Sequence, residues 1–224
     1  MSSWLAWNEP NNPVFLQPQF ARVGGRWSMQ AAAAYARICN AVYEGVHASG
    51  GPEQVACGAT APRGNNSPSS PRPSIAPLTF LRAAKATGLR RFDAWAHHPY
   101  YASPAETPTT RPGRNSVGLA NIDTLISEVT RLYGSKPLWI TEYGYQTNPP
   151  DAVFGVSWNK QAAYLRAAYE LAAANPRIDL FTWFLLQDSP DLAGWQSGLV
   201  TVDGRRKPAF ATFCLLYTSD AADE

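Results

Sequence analysis

Two carboxylates stand where strand-like runs give way to polar residues: Glu9 in WLAWNEPNNP and Glu142 in PLWITEYGYQT. In the first, Trp4 to Trp7 reads as a short strand buried on both faces, and Pro10 stops it because proline has no N–H for a ladder. In the second, LWIT is the buried run and Glu142 its first polar residue. Two further strand ends carry His97-His98-Pro99-Tyr100, and Trp183 with Gln187, Asp188 and Trp195 in the loop beyond. A pair of carboxylates suits glycoside hydrolysis, in which one carboxylic acid protonates the departing oxygen while the other carboxylate attacks the anomeric carbon or activates water. Those roles need different pKa values, which different surroundings provide. Asn8 is placed to hold a sugar hydroxyl, His98 and Tyr100 to orient Glu142, and Trp183 to offer a flat face to a pyranose.

Positioning these groups together requires a scaffold that gathers strand ends. Apolar periodicity and turn signals predict strands at 4–8, 54–58, 92–98, 138–141 and 178–184. Helices are predicted at 28–49, 77–87, 119–133 and 158–174, with a last one beginning near Pro208. Such alternation implies a parallel α/β sheet with right-handed crossovers. Helix-to-strand links are short, whereas the strand-to-helix links are long and rich in Pro, Ser, Asn and Gly. The long loops therefore emerge at the carboxyl ends of the strands, where barrels and doubly wound sheets hold their sites. Alternation along each strand puts Leu138, Ile140 and Glu142 on one face, Phe92, Ala94, Ala96, His98 and Tyr100 on one face, and Phe181 with Trp183 on one face. His97 faces the other way and reads as structural.

The 224 residues, 45% hydrophobic and 16% charged, suffice for one globular domain with a substantial core. Net charge is +2, and the densest basic group (Arg63, Arg72, Arg111, Arg114) lies in loops without interleaved aromatic residues, which argues against nucleic-acid binding. No apolar run approaches the ~18 residues of a membrane span. The opening MSSWLAW lacks the basic and apolar regions of a signal peptide, so localisation is not assigned from it. With only three histidines, and with His97 and His98 pointing to opposite faces, a metal-dependent hydrolase is disfavoured; no metal, cofactor or partner protein is expected. Cys39 and Cys57 read as buried small apolar residues rather than as a disulfide or a metal pair.

WNEPN and WITEYG resemble the acid/base and nucleophile signatures of the clan A retaining glycoside hydrolases, (β/α)8-barrel enzymes that include families 5, 10 and 39. The resemblance implies Glu9 as acid/base after the fourth strand, Asn8 as the contact to the sugar 2-hydroxyl, and Glu142 as nucleophile after the seventh strand. HPY resembles the clan's His-x-Tyr pattern, carrying over His98 and Tyr100, and FTWF the eighth strand, carrying over Trp183 as floor of the donor-sugar subsite. It is closest in flavour to family 39, with family 5 next. It covers residues 1–213 and implies a partial TIM barrel made of strands 4 to 8, the C-terminal part of a longer gene product whose export signal, if any, lies upstream. The expected activity is double-displacement hydrolysis of a β-linked oligo- or polysaccharide, with this unit alone inactive; the alternative is a non-catalytic carbohydrate-binding or inert barrel. The last eleven residues, CLLYTSDAADE, resemble translated sequencing adapter and are set apart as 214–224.

Overall fold

The computed structural model describes residues 2–220. Five parallel strands form one sheet in the order β1-β4-β5-β6-β7: Ser3–Leu5, Gln54–Thr60, Ala94–His97, Leu138–Tyr143 and Ile178–Trp183. Helices α1 (Gln30–His47), α2 (Pro77–Ala86), α3 (Ile122–Tyr133) and α4 (Trp158–Ala173) make the crossovers, and α5 (Pro208–Asp220) follows β7. The sheet curls into half of a barrel with β1 and β7 at its edges. Of the adapter-like segment, 214–220 continues α5 and 221–224 lies outside the described residues. Among the described residues no helix is long and apolar enough to cross a membrane.

Between β1 and α1 sits an antiparallel hairpin, β2 (Ala21–Val23) and β3 (Arg26–Ser28), in a stretch where no element was predicted. Its turn is Gly24-Gly25 with φ of 55° and 79°, the left-handed pair that a two-residue hairpin needs. That glycine dipeptide was the available signal. Because Ser28 ends β3, α1 begins two residues later than expected, after Met29.

Small residues line the inner face of the half-barrel and large ones its helix side. Ala56, Ala59, Ala94 and Ala96 cluster with Trp139, while Val55, Cys57, Trp95 and Leu138 join Tyr35, Phe80 and Leu125 under the helices. In β6, Leu138 and Ile140 share a face as expected, and it is the one toward the helices, while Trp139 faces inward with the alanines. Phe92 likewise lies on the helix side, ahead of β5. Glu142 nevertheless reaches the mouth because the register of β6 against β7 shifts between Ile140 and Tyr143.

The reading of Cys39 and Cys57 is also corrected, since the two are joined as a disulfide between α1 and β4. Their Cα atoms stand 6.0 Å apart, as a bridge requires, and the cross-link closes a span of 18 residues in the unfolded chain. A loop of that size is worth about 3 kcal/mol in chain entropy. Helical periodicity at Cys39 and strand periodicity at Cys57 give no hint that the two residues meet.

Candidate active site

Four of the expected site residues meet at the carboxyl ends of β1, β5 and β6. Glu9 follows β1 with φ of 37°, in the left-handed region that side chains rarely adopt, and its N–H donates to the carbonyl of Ala59, itself at φ of 43°. Such conformations cost about 1–3 kcal/mol each and persist where the surroundings over-determine them. Here Asn11 supplies that restraint: its carboxamide donates to the carbonyls of Ala61 and Ile75 and accepts from the Ala61 N–H, stitching the loop after β1 to the loop after β4. Asn12 then donates to Glu9 Oε2 at 2.9 Å. Sequence reasoning missed Asn12, although its spacing of three from Glu9 was visible.

His98 is fully buried and stands between the carboxylates. Its Nδ1 lies 3.2 Å from Glu9 Oε1 and 3.6 Å from Glu142 Oε2, and its Nε2 lies 3.0 Å from Thr141 Oγ1. Thr141, another residue that sequence reasoning passed over, thereby orients the ring. The His98-Pro99-Tyr100 segment turns tightly, with the Tyr100 N–H on the His98 carbonyl, and this aims the Tyr100 hydroxyl at Glu142 Oε2, to which it donates at 3.1 Å. Asn8 is half-buried beside Glu9, and its carboxamide has no hydrogen-bond partner among the described residues.

Burial holds the Glu142 carboxyl above its ordinary range, with the charge of Glu9 acting in the same direction; His98 and the Tyr100 hydroxyl oppose both by favouring the ionised form. Desolvation, followed by Glu142, pushes the Tyr100 phenol far up, so it remains a hydrogen-bond donor at any working pH. His97 faces away from the site as expected, fully buried against Thr60 Oγ1 and the Val117 carbonyl. Burial lowers its pKa to about 3, which leaves it neutral.

Trp183 occupies a different place from the one expected. Only 7% exposed, it packs edge-on to Tyr143 at 6.2 Å within the cluster under α4, and its indole N–H donates to the Ser197 carbonyl. Phe181 and Trp183 share a face, as the alternation of β7 predicts, and that face packs on the helix side against Tyr143. Trp195, 40% accessible and 5.0 Å from the Tyr100 ring, is an exposed aromatic beside the site. Asp188 turns inward to meet Lys207. Among the described residues no three His, Cys, Asp or Glu side chains are grouped to hold a metal.

A family model described as glycosyl hydrolase catalytic core matches residues 2–213. Among solved structures, a family 39 glycoside hydrolase from the gut symbiont Bacteroides cellulosilyticus WH2 is 21% identical with a TM-score of 0.63, over 95% of this chain and 40% of that one. A family 39 β-xylosidase from Caulobacter crescentus is 16% identical with a TM-score of 0.57, again over 95% and 40%. A family 128 endo-β-1,3-glucanase from Amycolatopsis mediterranei is 15% identical with a TM-score of 0.53, over 95% of this chain and 71% of that one. The chain thus spans 40% of the length of each of the two family 39 structures. No curated protein matches it.

Proposed function

We propose that this chain, which belongs to the glycosyl hydrolase catalytic-core family, carries both carboxylates of a retaining hydrolase acting on β-linked oligo- or polysaccharide. The observation that carries the reading is the shared nitrogen of His98. Two oxygens 3.2 and 3.6 Å from one atom are at most about 6.8 Å apart, a bound that admits the ~5–5.5 Å of retaining pairs and excludes most of the ~6.5–9.5 Å range of inverting ones. Glu142 attacks the anomeric carbon while Glu9 gives its proton to the leaving oxygen. Glu9 then takes a proton from the water that releases the sugar. Asn8 offers free amide donors and an acceptor to a sugar hydroxyl. Thr141, through His98, and Asn12 keep the Glu9 carboxylate aimed, and Tyr100 steadies the charge on Glu142 before attack.

The five-stranded unit leaves the cleft open at the β1 and β7 edges, where Trp4, Leu5 and Leu180 are exposed, so slow turnover is expected of it alone. The disulfide supports folding in an oxidising compartment. A dinitrophenyl β-glycoside, whose leaving group needs little acid assistance, suits the test. Proton NMR of the first-formed sugar should show the β-anomer before mutarotation. The α-anomer would replace retention with inversion, and sugar binding without turnover would favour the non-catalytic alternative.

The opposed influences on Glu142 give a second check. The Tyr100 hydroxyl stabilises the ionised carboxylate, so Tyr100→Phe should raise the Glu142 pKa further. The nucleophile must be ionised, and the acidic limb of kcat/KM should therefore move to higher pH. A limb that stays in place or moves down would remove Tyr100 from this role.

A further inference from the structure

We propose that the cavity beside Tyr100, walled by Arg63, Tyr101, Gln146, Phe154 and Trp195, is a second sugar subsite that seats a neutral pyranose next to the cleavage point. The inference rests on the glycosidase reading and deepens it, because it makes an oligosaccharide the substrate.

The cavity measures about 420 Å³, within the range of small-molecule sites. Tyr100 joins it to the carboxylates, since its ring lines the cavity and its hydroxyl reaches Glu142. Trp195 is held from behind by Tyr100, with ring centres 5.0 Å apart, and edge-on by Phe184 at 5.5 Å. Two-fifths of its surface stays exposed. A clamped indole kept exposed is what stacking against the apolar face of a pyranose calls for.

The polar groups fit a neutral ring. Arg63 already donates to the Tyr100 carbonyl at 2.7 Å and lies 3.9 Å from Glu106, so its charge is answered within the protein. Gln146 accepts the Gln196 N–H through Oε1, leaving its amide hydrogens to face a hydroxyl. The walls are pre-set as well. The Tyr101 hydroxyl donates to the Phe154 carbonyl and accepts the Gln146 N–H, while the Tyr101 ring stacks on Tyr145 at 4.2 Å. Little ordering cost therefore remains for a ligand to meet.

The test is calorimetric titration of the protein with xylose, glucose, xylotetraose, laminaritetraose and tetramannuronate, the tetramers having sulfur in place of the glycosidic oxygens to resist hydrolysis. At least one neutral tetramer should bind about tenfold tighter than its monomer, Trp195→Ala should remove that gain, and Trp195→Phe should keep most of it. Near-ultraviolet circular dichroism verifies the fold of both variants. A gain untouched by Trp195→Ala, no gain with length, no binding of either neutral tetramer, or tighter binding of the uronate would overturn the proposal. Covalent labelling of Glu142, which does not involve Trp195, tests the catalytic reading separately.

Discussion

Incubated with a 2-deoxy-2-fluoro-β-glycosyl fluoride, the protein is expected to gain the mass of one fluoroglycosyl group on Glu142. Fluoride leaves as the Glu142 carboxylate attacks, and the electron-withdrawing substituent slows release by water, so the ester accumulates even where ordinary turnover is slow. Glu142→Ala should take up no label and should lose at least about 10⁴-fold in kcat on a dinitrophenyl glycoside, the scale seen when a covalent nucleophile is deleted elsewhere. Azide should restore part of that turnover, with formation of the α-glycosyl azide, because it fills the space from which Glu142 would attack. The roles are those proposed above, with Tyr100 donating to Glu142 and with His98 and Asn12 against Glu9. A label on Glu9 would exchange the two roles, and full activity of Glu142→Ala would end the assignment.

Lys207→Met is expected to be the most damaging single change to the fold. The ammonium is completely buried and donates to Asp188 Oδ1 at 2.8 Å, Thr147 Oγ1 at 2.9 Å and the Gln196 carbonyl at 3.2 Å. Asp188 also accepts the Gly198 N–H. This pair pins the loop after β7 to the loop after β6 and to the start of α5, the same loops that present Gln146 and Trp195. Removing the cation leaves a buried carboxylate without its partner, which costs about 3–5 kcal/mol. For a domain of this size the loss corresponds to a drop of about 10 °C in Tm. Thermal unfolding followed by circular dichroism reads it directly. Lys207→Met combined with Asp188→Leu should recover much of the loss, since two well-packed apolar groups replace a buried pair at little net cost. Equal destabilisation in the single and double variants would show that packing, not the stranded charge, carries the effect.

Much of the site was legible because its parts are local. Pro10 and the polar NEPN turn mark the end of β1, and the first polar residue after LWIT marks the mouth of β6. Long loops on one side of every strand pointed to the face where Glu9, His98, Tyr100 and Glu142 converge. Residues whose meaning depends on distant partners were not legible. Cys57 looks like any buried strand residue until α1 brings Cys39 against it, and Asp188 looks like a turn residue until Lys207 closes on it. The hairpin around Gly24-Gly25 carried no predicted element, because its strands are only three residues long and show no period.

By itself, then, the sequence determined the five parallel strands, their crossover helices and the residue types gathered at the strand ends, because these follow from period, turn residues and residue type within a few positions of one another. Tertiary structure alone decided that Trp183 is packed away while Trp195 faces solvent. A shifted register between β6 and β7 turns Glu142 toward the cleft, Trp183 packs beneath α4, and Trp195, held on Tyr100, remains at the rim. A one-residue slip between paired strands reverses every side chain beyond it, and only the partner strand can set it.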